Sequence, residues 1–277
     1  MECLENATVV TVSTQRLAVA LGINHKKTFI CPNYAIHHTK PTSGNATKIR
    51  TSTIVFASSD RVKVDFILDA LKHIQKKYKE QVDFLFIGPN CEKIRQHGLT
   101  GHFLEIIPYH QFRDFLSKLP NAIGVIPLDD SKFSSCKSSV KYFDYSQAGV
   151  ATVCSNNPPY SDTITSGENG VLVENTESAW ISALEGLIQD KERRQKIATN
   201  AQNFVATQHN IQRSVDAWSI AVNQATSEVT KRCSGEYTSI NKIFSPSTFL
   251  TEGYWKIKQW NRDRKKRRRE KNELQIK

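Results

Sequence analysis

The chain has 277 residues, 39% of them hydrophobic, which suits one large globular domain or two small ones; no apolar run approaches the roughly 20 residues that cross a bilayer. The formal net charge of +11 is uneven: residues 251–277 carry eleven Lys/Arg against four Asp/Glu, a net of +7, leaving +4 for everything before them. Six cysteines stand apart, none in a CxxC or Cys/His spacing, so a structural zinc site is excluded and reduced cytosolic thiols are expected.

Met1 to Val10 lacks a basic start followed by an apolar block, so no secretory signal is expected, and the Asn-Ala-Thr sequons at Asn6 and Asn45 read as chance matches. The first fifty residues read as a remnant of another domain followed by a linker. Ala7–Val12 is a short β-branched run, Ser13 or Thr14 can cap a helix over Gln15–Leu21, and Lys27–Cys31 is a strand stopped by Pro32-Asn33. His37–Lys48 is polar and carries Pro41, Ser43 and Gly44, the composition of a linker.

A regular alternation begins near Thr51. Strands are predicted over 53–57, 82–87, 103–107, 123–128, 151–154 and 171–173. Helices are predicted over 64–78, 110–119, 138–147, 178–189, 191–207 and 211–225, the third stopped by Gly149. Short buried strands alternating with amphipathic helices imply a doubly wound parallel sheet, a Rossmann-like α/β domain over residues 51–225. Ligands of such sheets bind beyond the carboxyl ends of the strands, which points to the loops Ala57–Lys63, Gly88–Cys91, Pro108–Gln111 and Leu128–Lys141.

The first of these loops offers Ser58, Ser59, Arg61 and Lys63 at a helix start, a combination that suits a phosphate. Taken alone, the loop is also explained as a capped helix with exposed basic residues. Neither a GxGxxG fingerprint nor a GxxxxGK[ST] loop is present. The last loop is richer. Ser138 is a plausible N-cap, and Lys141 and Asp144 fall three apart on one side of the following helix. The lysine can neutralise a diphosphate and the carboxylate can accept from ribose hydroxyls; a simple surface ion pair is the plainer alternative.

Lys137-Ser138-Ser139-Val140-Lys141-Tyr142-Phe143-Asp144-Tyr145 followed by Ala148-Gly149-Val150 resembles the KSxxKxxEYxAxGxP block of retaining GT-B glycosyltransferases of the family-4 type. Tyr160, Ile164, Gly167-Glu168-Asn169-Gly170 and Val171-Leu172-Val173 resemble the Y…I…GxNGxLV continuation, and Trp180, Leu184 and Leu187 the helix after it. Upstream, Lys63-Val64-Asp65 with Leu68 and Leu71 resembles KGxDxLLxAL, and Phe86-Ile87-Gly88 the strand end that precedes a donor loop. Val10–Thr14 with Cys31-Pro32-Asn33 resembles the last strands of the family's N-terminal domain.

The resemblance implies the C-terminal, donor-binding half of a GT-B fold. It implies that Lys63 and Lys141 stabilise the departing diphosphate, helped by Ser58, Ser59, Arg61 and the amides near Ser138 and Ser139. It implies that Asp144 binds the ribose, and that the base lies near Gly88, Ile107 and Tyr109. No cofactor and no metal are implied, the donor being a nucleoside diphosphate sugar. The sequence departs from the family in Ala57-Ser58, where glycine is usual, and in Cys136, where the first glutamate of E-x7-E is usual. The acceptor-binding half is largely missing, and His25, His37 and His38 do not replace its catalytic residue, so the expectation is either an acceptor-domain partner subunit or a gene fragment.

The last part, residues 226–277, reads as a basic helical extension. Its segment 255–271 carries Trp255, Ile257 and Trp260 among the cations. It reads as a solvated tail or as a helix lying on an anionic membrane surface, with nucleic acid the less favoured partner. The expected location is the cytoplasm, peripheral to the inner face of a membrane.

Overall fold

The computed structural model describes residues 7–22, 27–35, 52–58, 63–119 and 121–233. Ser59, Arg61, His25, His37, His38, the linker over 37–48 and the basic segment 255–271 lie outside the described residues. The chain divides into two units, 1–225 and 226–277; of the second, residues 226–233 are described, as helix.

The strands and helices of the first unit are, in chain order, β1 Val10–Val12, α1 Gln15–Ala20, β2 Thr28–Ile30, β3 Ser52–Ala57, α2 Asp65–Lys77, β4 Val82–Ile87, α3 Cys91–Gln96, β5 His102–Leu104, α4 Tyr109–Ser117, β6 Ala122–Ile126, α5 Lys132–Ser135, α6 Val140–Gln147, β7 Ala151–Ser155, β8 Val171–Val173, α7 Glu177–Gln189 and α8 Lys191–Gln208. Helix α9, Ile211–Cys233, runs on past the unit boundary. Among the described residues no helix is long and apolar enough to cross a membrane.

Six strands form one wholly parallel sheet in the order β5-β4-β3-β6-β7-β8. Alternation along β3 explains why both faces are covered. Ile54 and Phe56 point to the side where Ile67, Leu71 and Ile74 of α2 pack with Trp180 and Leu184 of α7. Val55 and Ala57 point to the other, against Leu116 of α4, Tyr142 and Tyr145 of α6 and Val205 of α8. Each of the large aliphatic side chains among them, removed from water, contributes about 1.5–3 kcal/mol. Gly149 ends α6 in the left-handed conformation, φ 73°, as the sequence predicts.

Three departures from the predicted elements bear on the site. Strand β5 stops at Leu104, paired with Ile87, rather than running to residue 107. Residues 105–108 leave the sheet, Pro108 having no N–H for a ladder. Short helices α3 and α5 occupy stretches that read as loops. Helix α6 begins at Val140, with Ser139 rather than Ser138 at the N-cap position and no side-chain cap bond.

A two-stranded parallel sheet, β1-β2, stands apart from the main sheet, with α1 as its crossover. Thr14 caps α1, its hydroxyl accepting from the Leu17 N–H at 3.1 Å.

Candidate functional site

The chain direction across the sheet reverses between β3 and β6, and an open cleft of about 570 Å³ lies beyond the carboxyl ends of these strands. Its floor is Ala57-Ser58 after β3, Ile87 of β4 and Pro127-Leu128 after β6. One wall is the stretch Ile106–Tyr109 with Phe112; the other is Lys137, Ser138, Val140, Lys141 and Asp144, with Tyr160 behind.

Helix α6 makes this second wall cationic at one end and acidic one turn on. Its first N–H groups have no side-chain cap, so the positive end of the helix meets the cleft, with Lys141 in the first turn and the Ser138 hydroxyl just before it. That set suits two linked phosphates. Asp144 follows on the same face, its Oδ1 accepting a hydrogen bond of 2.7 Å from the Tyr109 hydroxyl across the cleft. Burial pushes the Asp144 carboxyl up to about 6, opposed by the Tyr109 bond and by the charges of Arg113 and Lys141. The Tyr109 hydroxyl is raised in turn, by burial first and then by its bond to the carboxylate. The Arg113 guanidinium covers the Tyr109 ring at 5.1 Å, and its Nε and Nη1 are buried without a hydrogen-bond partner.

The structure brings Ser58, Ile107, Tyr109, Ser138, Lys141 and Asp144 to one cleft. Three other predicted residues take different places. Gly88 is not on the wall: at φ 104° it packs against the end of β3, where a Cβ would come within 1.9 Å of the Ser58 carbonyl oxygen. Ser139 is buried, and its hydroxyl bonds the Thr163 hydroxyl at 2.8 Å and the Pro159 carbonyl at 3.2 Å instead of facing the cleft. Lys63 is exposed outside the cleft wall, and its charge reaches Asp129 on the loop after β6. Asp129 is held below the usual carboxylate range chiefly by hydrogen bonding to Ser131, with Lys63 a smaller contribution.

Several cleft residues were not singled out from the sequence. Phe112 is one of them, while Leu128 was read as the start of a candidate ligand loop. Arg113, which lies over the Tyr109 ring beside the cleft, was not singled out either. Among the described residues no group of three or more His, Cys, Asp or Glu could hold a metal ion.

A family model described as glycosyl transferases group 1 matches residues 51–190, just over half the chain. Among solved structures, S. aureus TarM, in a complex that includes UDP, shares 16% identity over 80% of this chain and 45% of its own, with a TM-score of 0.63. Sucrose-phosphate synthase from Thermosynechococcus elongatus shares 15% over 82% of this chain and 60% of its own, TM-score 0.62. Anabaena HepE, solved with UDP and glucose, shares 14% over 80% of this chain and 63% of its own, TM-score 0.60. These likenesses establish a common fold. The chain spans between 45% and 63% of the length of these structures. No curated protein sequence matches it.

Proposed function

Because the chain belongs to the glycosyl transferases of group 1, we propose that its cleft binds a nucleoside diphosphate sugar and serves transfer of the sugar to an acceptor hydroxyl, with retention and without a metal or cofactor. The observation that carries this reading is the order of groups along α6: hydroxyl, helix N-terminus and Lys141 first, Asp144 one turn on, all facing one cleft at the switch point. In the reaction the bond between the sugar's anomeric carbon and the phosphate oxygen breaks, the acceptor oxygen takes its place on the same face, and the acceptor's hydroxyl proton passes to the departing diphosphate. Negative charge then collects on the departing diphosphate. On this reading Lys141, the Ser138 hydroxyl and the first amides of α6 stabilise it, which is where preorganised charge lowers a barrier most; Lys63, exposed outside the cleft wall, would join them only by reaching in. Asp144 accepts from the ribose, and the base lies along Ile107–Tyr109, beside Ser58.

The three solved structures named above are longer than this chain, and the acceptor hydroxyl is proposed to bind at a site completed by an acceptor domain, whether of a partner subunit or of a longer protein. A donor-binding module without turnover of its own is the second reading, favoured by Cys136 in place of glutamate. The basic segment 255–271 is assigned to an anionic membrane surface, where a lipid-linked acceptor would be presented, on the peripheral cytoplasmic side.

Calorimetric titration of the purified chain with UDP, GDP and their common sugars tests the reading. Binding of one nucleotide, weakened about 10- to 100-fold by Lys141→Ala, is expected for a charge-assisted contact to phosphate. A folded wild-type chain that binds none of them would sink it.

A further inference from the structure

The segment that carries β1, α1 and β2 meets the main domain at the cleft rim. The Thr14 hydroxyl, besides capping α1, donates to the Cys136 carbonyl at 2.9 Å, and the Cys136 thiol points back to the Arg16 carbonyl at 3.6 Å. The Arg16 guanidinium holds the Asp162 carboxylate through two bonds, of 2.7 and 3.0 Å. The Ala35 N–H donates to the His209 carbonyl at 2.7 Å. Closest to the cleft, Asn33 Nδ2 donates to Ser138 Oγ at 2.7 Å, across 105 residues of sequence. Residues 136–138 are the turn that leads into α6, and Ser138 forms part of the cleft wall.

We infer that Asn33 is a positioning residue of the nucleotide site, setting the direction in which the Ser138 hydroxyl donates. The inference rests on reading the cleft as a nucleoside diphosphate site. A serine hydroxyl has one proton and two lone pairs. With an amide N–H of Asn33 occupying a lone pair, Ser138 presents its proton elsewhere, and the cleft is where a phosphate oxygen would accept it. Thr14 and Arg16 fix the same turn from the other side, so β1, α1 and β2 brace the diphosphate end of the cleft. Neither Asn33 nor Thr14 touches the nucleotide; both act through the 136–138 turn.

The test is titration of the full chain with UDP and with GDP, each alone, using Asn33→Ala, the same-shape Asn33→Asp, Ser138→Ala and the Asn33→Ala/Ser138→Ala double variant. Asn33→Ala is expected to weaken the bound nucleotide about five-fold, the scale of one neutral hydrogen bond. Asn33→Asp is expected to weaken it about 30-fold or more, because a carboxylate would take the Ser138 proton and add a negative charge beside the phosphates. The double variant is expected to bind no worse than Ser138→Ala, since the two act as one unit. Thermal midpoints within a degree or two of wild type would confirm that folding is untouched, Asn33 being exposed. Wild-type binding with Asn33→Asp unaffected, or with the two alanine effects adding in full, overturns the role of Asn33 while leaving the nucleotide site standing. Failure of the wild-type chain to bind either nucleotide overturns both.

Discussion

Asp144→Asn is expected to stabilise the protein in alkaline solution while weakening its ligand. The carboxyl sits at about 6 in the folded chain against an ordinary 3.8, with burial the main cause. Its folded value lies above its unfolded one, so the folded chain keeps the proton longer and stability falls as pH rises from about 4 through 6. Fully ionised, the group costs about 3 kcal/mol, since each tenfold change in proton affinity is worth about 1.36 kcal/mol. Roughly half of that cost is already present at pH 5, leaving about 1.5 kcal/mol to appear between pH 5 and pH 8. An amide at 144 cannot ionise, and it still accepts from the Tyr109 hydroxyl. The gap in thermal midpoint between variant and wild type should therefore be about 3–6 °C wider at pH 8 than at pH 5, using 2–4 °C per kcal/mol for a domain of this size. Other titrating groups are shared and cancel in the difference. Calorimetric or fluorescence melts at the two pH values read it directly. A gap equal at both would refute the idea of a buried carboxylate ionised at a cost. In the same variant, affinity for a nucleoside diphosphate should fall about ten-fold or more, the charged ribose acceptor having been lost.

Gly88→Ala should destabilise by several kcal/mol, because φ 104° is strained for alanine and the new Cβ would sit 1.9 Å from the Ser58 carbonyl oxygen; denaturant unfolding gives the number, and a loss under about 1 kcal/mol would show that the β3 end yields freely. Trp180→Ala, emptying a fully buried site between α7 and the sheet, should cost about 3–5 kcal/mol by the same measurement. Nucleotide binding by wild type should strengthen as pH rises through about 6, where Asp144 becomes an ionised acceptor, and the rise should vanish in Asp144→Asn titrated by calorimetry.

The fold was legible because its signals are local and repeated. Ile54, Phe56, Phe84, Phe86, Ile123 and Val125 form short apolar strands that are buried on both faces, and the helix stripe through Ile67, Leu71 and Ile74 keeps its period. The site was legible where chemistry follows one element: Lys141 and Asp144 lie three apart, helical geometry alone puts them on one side, and Ser138 stands just ahead of that helix. It was not legible where sheet topology brings distant residues together. Tyr109 meets Asp144, Asn33 meets Ser138 and Arg16 meets Asp162 over 35, 105 and 146 residues, and no spacing rule reaches that far. Ser139 was read for its backbone amide, and that its hydroxyl turns inward at the α6 start, to Pro159 and Thr163, was not legible from the sequence. Gly88 was read as lying beside the base, while its missing Cβ answers to the backbone of the neighbouring strand.

The two ends of the cleft differ in what holds them ready. At the diphosphate end the donors are fixed before any ligand arrives, by a helix start and by the long-range bonds of Thr14 and Asn33 to residues 136–138. Binding there orders little that is not already ordered, which favours a tight and early contact. At the ribose end Asp144 already has a partner in Tyr109, so a ribose hydroxyl must share the carboxylate or displace the phenol. A phenylalanine at 109 separates these cases. If the phenol is displaced on binding, Tyr109→Phe removes a competitor and affinity for UDP rises a few-fold. If the phenol stays and the ribose takes the second oxygen, the variant leaves a buried carboxylate short of one donor; its pKa moves above 6, and affinity at pH 6 falls while affinity at pH 8 changes little. Titration at the two pH values distinguishes the two, and affinity unchanged from wild type at both would mean that the Tyr109 bond has no part in nucleotide recognition.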